Sequence, residues 1–130
     1  MPHTGTPPRF SLAWRRTVFG VCLLVSVVVL FTPATDVPAG PRDIDKVIHV
    51  LLFAVLTVTG RRAGVRWSVL LPALVAYAAA SEPLQSLPGI GRSTSLADWV
   101  ADVAGVLLGY SGVVASTRFR SASRSRSGSG

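Results

Sequence analysis

The stretch TVFGVCLLVSVVVLF, residues 17–31, contains no charged side chain. Extended back over Ala13 and Trp14, it approaches the ~20 apolar residues that cross a hydrocarbon core, and Trp14 falls where an interfacial aromatic belt is expected. Such a run requires an apolar solvent. The whole chain agrees, since 49% of its 130 residues are hydrophobic and only 15% are charged, far from the balance of a soluble domain. Arginines before the run and Thr32-Pro33-Ala34-Thr35 after it also match a cleaved signal peptide. The run is at the long end for that reading, and further membrane segments follow it. Its helix is predicted to end at Pro33, which lacks an N–H and restricts the residue before it. Cys22, the one cysteine, has no disulfide partner and reads as packing.

Three more apolar runs lie downstream. Val47 to Gly60 is short for a span unless its helix starts near Ile44, which leaves Asp45 and Lys46 at headgroup level and His49 one turn deeper. A basic turn, Arg61 to Arg66, separates it from a third run, Trp67 to Ser81. There Ala73, Ala76, Ala78, Ala79 and Ala80 predict burial against neighbouring helices, because small side chains let backbones approach. Glu82 to Thr94 is rich in Pro, Gly and Ser and reads as a loop, with Pro83 marking a break or end of the helix. Leu96 to Ser116 is long enough to span. The predicted organisation is a disordered basic arm over residues 1–16, an all-α integral membrane bundle of four transmembrane helices over residues 17–117, and a disordered Arg/Ser-rich tail over residues 118–130.

A net charge of +7 raises the possibility of a nucleic-acid partner, but basic surfaces of that kind alternate with polar residues, not with runs such as Val21 to Phe31. The distribution of charge is more informative than its sum. With four spans, the N-terminal arm, the Arg61 to Arg66 turn and the tail share one side, carrying ten arginines and no acid. The positive-inside rule makes that side cytoplasmic, with both termini. The other side holds Arg42, Lys46 and Arg92 with all six acids, Asp36, Asp43, Asp45, Glu82, Asp98 and Asp102. Dropping one span would mix the two sets.

The unusual polar residues all fall at this second end. Asp45, Lys46 and His49 begin the second helix, Glu82 and Gln85 end the third, and Arg92, Asp98 and Asp102 surround the start of the fourth. Ionisable groups at membrane depth are expensive and mark pairs or functional sites. Asp45 with His49, and Asp98 with Asp102, are four apart and share a helix face. Gly105 and Gly109 continue the second of these faces as a smooth packing surface beneath the acids. Ser95 reads as an N-cap with Asp98 as its capping-box acid, Glu82 as a salt-bridge partner of Arg92. Asp102, a turn deeper, needs Arg92, Lys46 or a water-filled pocket, or else is protonated. One histidine without thiols, opposed by Lys46 and Arg92, is a poor metal set, and no cofactor is expected.

Two blocks resemble the VanZ-like family of small bacterial membrane proteins, named for a member associated with glycopeptide resistance. The first is Asp45-Lys46-Val47-Ile48-His49. The second runs Glu82-x-x-Gln85, Arg92, then Asp98-x-x-x-Asp102-x-x-Gly105-x-x-x-Gly109. Together with the hydropathy pattern they cover Asp43 to Tyr110, about half the chain. Many relatives look to have asparagine at the position of Asp102, so this chain adds a negative charge there. The resemblance implies a multi-pass protein of the bacterial plasma membrane and cell envelope; the family has no generally accepted reaction.

Three functions fit. In the first, the outer-face residues Asp45, Lys46, His49, Glu82, Gln85, Arg92, Asp98 and Asp102 bind an anionic lipid-linked or cell-wall-related ligand, Lys46 and Arg92 making the positive contacts. In the second, an enzyme acts on a lipid-linked substrate with Glu82 or Asp98 as acid/base and His49 as proton partner. In the third, the chain is a structural partner subunit of an envelope protein whose ion network fixes helix register. Membrane lipids are partners in every case, and nucleic acid in none.

Overall fold

The computed structural model describes residues 11–32, 42–88 and 96–127, which form four α-helices and no strand. They are α1 (Leu12–Phe31), α2 (Arg42–Arg62), α3 (Trp67–Gln85) and α4 (Leu96–Ser127). Three of them, α1, α3 and α4, are long and apolar enough to cross a membrane. α2 has 21 residues, about 31 Å of helix, but carries charges at both ends. It can do so because those charges are confined to its end turns, where Lys46, Arg61 and Arg62 are exposed. α2 packs on all three other helices and most extensively on α4, while α1 and α4 do not touch among the described residues.

The directions of the helices follow from a few contacts. The chain reverses at Gly64, whose φ of 92° is a left-handed conformation that suits glycine. There Ala63, Gly64 and Val65 donate their N–H groups to Thr59, Arg61 and Gly60. Leu12 lies 3.6 Å from where a Gly64 Cβ would stand, so α1 starts where α2 ends. Tyr110 of α4 meets Trp67 edge-on at 4.9 Å, and Trp99 of α4 reaches Glu82. Hence α4 runs antiparallel to α3 and parallel to α2.

Gly105 and Gly109 make the parallel α2–α4 contact possible. A Cβ on Gly105 would collide with the carbonyl oxygen of Val50 and come within 2.9 Å of Phe53 Cβ. One on Gly109 would stand 2.7 Å from Thr57 Cβ and 2.8 Å from the Ala54 oxygen. Below this contact Leu30, Phe53, Leu56, Leu70, Leu74, Ala78 and Val106 form one apolar core.

Several elements depart from the sequence reading. α1 begins at Leu12, inside the stretch assigned to a disordered arm, because Ser11 Oγ accepts from the Trp14 N–H at 3.3 Å and caps the first turn. Residues 1–10 lie outside the described residues. The tail is helical through Ser127: once a helix is nucleated, each further residue is cheap to add, and Thr117, Ser121 and Ser123 hydroxyls bond back to carbonyls of the preceding turn. α2 starts at Arg42, ahead of Ile44. α3 passes through Pro83 to Gln85; a proline in the last turn removes a single backbone bond, a loss that transmembrane helices tolerate. Of its alanines only Ala78 is buried, and Ala73, Ala76, Ala79 and Ala80 face outward. α1 does end before Pro33, with Thr32 as its C-cap.

Candidate functional site

On α2 the residues directed at the core recur at helical spacing: His49, Phe53, Leu56, Thr57 and Gly60, with Ala63 following in the turn. On α3 they are Leu70, Leu74, Ala78, Ser81 and Gln85. On α4 they are Ala101, Asp102, Gly105, Val106 and Gly109. Each face is apolar or small toward the Gly64 end and polar toward the other, so three polar half-faces converge at one end of the bundle.

Two side chains meet there. His49 Nδ1 lies 2.8 Å from Asp102 Oδ1, with His49 only 3% exposed and Asp102 1%. A carboxylate on Nδ1 makes that nitrogen the donor, so Nε2 is the ring's basic position in the neutral form. Among the described residues the partner of Asp102 is His49, which the sequence reading did not assign to it; Arg92, one of the partners it did assign, lies outside the described residues. Gly105 lies three residues further along α4 and lets the two backbones close until the pair can meet, which joins the helix-packing and polar features into one device. Asp45 and Asp98, both half-buried, lie within electrostatic reach of the pair. Lys46 is exposed, and Lys46, Asp45 and Asp98 each have interaction partners.

Glu82 binds backbone. Its Oε1 accepts from the Trp99 N–H at 3.1 Å, one of the first four N–H groups of α4, which have no partner within their own helix. A carboxylate at a helix N-terminus is also favoured by the helix dipole. Asp98 occupies the same first turn. Glu82 therefore ties the end of α3 to the start of α4. Arg92, its expected salt-bridge partner, and Ser95, the expected N-cap, lie outside the described residues. Gln85 is 4% exposed, and its Nε2 has no hydrogen-bond partner among the described residues.

A second polar contact escaped the sequence reading. Ser26 of α1, fully buried, lies 3.1 Å from the Tyr77 hydroxyl, and Tyr77 rests against Phe53 at 5.6 Å between ring centres. The one available signal was a lone serine amid valines and leucines. Ser81, also buried, spends its hydroxyl on the Ala78 carbonyl at 2.9 Å. Comparison of the chain with protein-family models, with curated proteins and with solved structures gives no match.

Proposed function

We propose that the polar end of the bundle holds the headgroup of an anionic lipid-linked or cell-wall-related ligand at the outer face of a bacterial plasma membrane, the membrane that the resemblance to the VanZ-like family implies. In this reading Lys46 and Arg92 contact the anionic groups, Gln85 donates to a ligand oxygen, and Glu82, Asp45 and Asp98 orient the cations. The positive-inside rule gives the orientation, the arginine-rich end facing the cytoplasm. The observation that carries the proposal is Gln85. A buried amide donor left unsatisfied costs about 1–3 kcal/mol, and here it belongs to the one end of the bundle whose buried positions are polar. An acceptor brought by a ligand would remove that cost.

A structural reading has its own support, since His49 and Asp102 satisfy each other directly above the Gly105 contact and would fasten α2 to α4 with no ligand. Gln85→Leu separates the two readings. It removes the unpaired donor, so under the structural reading the folded bundle should melt no lower than the wild type, whereas a wild type that carries its ligand should melt higher than the variant that has lost it. If the site binds a ligand, lipid extracts of the purified variant, and of Arg92→Ala, should lack a species that co-purifies with the wild type. Identical extracts from all three proteins would leave the structural reading in place.

A further inference from the structure

The end of the bundle opposite the polar site carries a separate surface. Arg61, Arg62 and Arg66 belong to the Gly64 turn, and Arg15 and Arg16 lie in the first turns of α1, brought beside it by the Leu12–Gly64 contact. Asp45, Glu82, Asp98 and Asp102 all lie at the other end. None of the five arginines has an ion-pair partner among the described residues. The Arg61 guanidinium donates to the Val65 carbonyl at 3.2 Å and lies over the Trp67 ring, 5.3 Å from its centre. Trp67 is braced on its edge by Tyr110. Trp14, half exposed, precedes Arg15 on α1. Tryptophan and tyrosine favour the level where hydrocarbon gives way to headgroups, so these aromatic rings and the arginines mark one plane.

We infer that this face docks anionic phospholipid headgroups, with the turn and the start of α1 as the contact surface. Arg62 and Arg66 offer planar guanidinium forks that match a phosphate diester. Excess positive charge without acids attracts an anionic leaflet. The fit is local. Arg118 and Arg120 are also exposed, but Arg118 stands eight residues beyond Tyr110, about 12 Å further along the helix. That carries both past the aromatic plane by more than the ~5–8 Å depth of a headgroup layer.

The full chain, purified and reconstituted in nanodiscs of equal parts phosphatidylglycerol and phosphatidylcholine with matched acyl chains, tests this. Native mass spectrometry then counts the lipids retained. The wild type should keep phosphatidylglycerol preferentially, and Arg62→Ser with Arg66→Ser should lower that preference by about fivefold for each arginine removed. Arg118→Ser with Arg120→Ser should change it much less. All three proteins should melt alike, because the replaced side chains are exposed. The preference should weaken as salt is raised but survive millimolar inorganic phosphate at constant ionic strength. Equal retention of both lipids by the wild type, loss confined to the Arg118/Arg120 variant, or displacement by phosphate would each overturn the inference. None of these outcomes bears on the polar site at the far end.

Discussion

Asp102 and His49 show what one polar pair does in apolar surroundings. Each would be costly alone at that depth, and together they are satisfied at 2.8 Å. Asp102→Ala leaves the imidazole unpaired and should cost about 3 kcal/mol in thermal unfolding in detergent. Asp102→Asn keeps an oxygen able to accept from Nδ1–H and should cost only about 1 kcal/mol. If the asparagine variant unfolds as readily as the alanine one, charge and not hydrogen bonding holds the pair. Glu82 invites the same comparison. Glu82→Gln retains an oxygen for the Trp99 N–H, whereas Glu82→Ala should lose about 1 kcal/mol, the typical worth of a helix cap; equal melting of the two variants would deny the cap a role. The Asp45–His49 and Asp98–Asp102 spacings were legible in the sequence because each lies within one helix. The pairing of His49 with Asp102 was not. It spans 53 positions and depends on the relative depth and rotation of two helices, which packing sets.

At the scale of the helix, glycine placement does most to decide how the elements meet. Gly105 faces Val50 and Phe53 with no room for a methyl group, whereas Gly112 on the same helix has nothing within 4 Å. Gly105→Ala should therefore destabilise the bundle by about 1–3 kcal/mol through forced separation of α2 and α4. Gly112→Ala should be neutral or stabilising by up to about 1 kcal/mol, since alanine is the better helix former. Matched unfolding curves for the two variants would show that the α2–α4 contact is loose. The packing face of α4 could be read from its small-residue spacing, but the alanines of α3 could not. Small residues permit close packing without specifying which neighbour, if any, uses them, and four of the five point away from the core. The helix ends were misjudged for a related reason: composition marks where a helix may stop, whereas capping by Ser11 and propagation from α4 set where it does stop.

For the molecule as a whole, the ordering principle is the separation of charge along the bundle axis, legible in the sequence as ten arginines against six acids. Helix count and charge support each other here. Hydropathy alone marks α1, α3 and α4 as candidate spans and passes over α2, yet the charged residues of α2 sit only in its first five and last two positions. The fourteen residues between, Val47 to Gly60, cover about 21 Å. Adding the charged turns at headgroup level brings α2 to the same length as its neighbours; three helices pack on one side of its middle, and the side left exposed, with Val47, Leu51 and Val55, is apolar. α4 alone separates Ser86, after α3, from Ser123, near its own end, so the two lie on opposite sides of the membrane; if α2 crosses with the others and the N-terminus is inside, Ser86 is the outer one. Both are exposed. In a Cys22→Ala background, Ser86→Cys should react with an impermeant maleimide in intact cells, while Ser123→Cys should react only after the membrane is opened. The reverse pattern would mean either that α2 does not cross or that the whole bundle is inverted against the positive-inside rule. Equal labelling of both positions in intact cells would mean an odd number of crossings between them is wrong, and the four-span arrangement would fall with it.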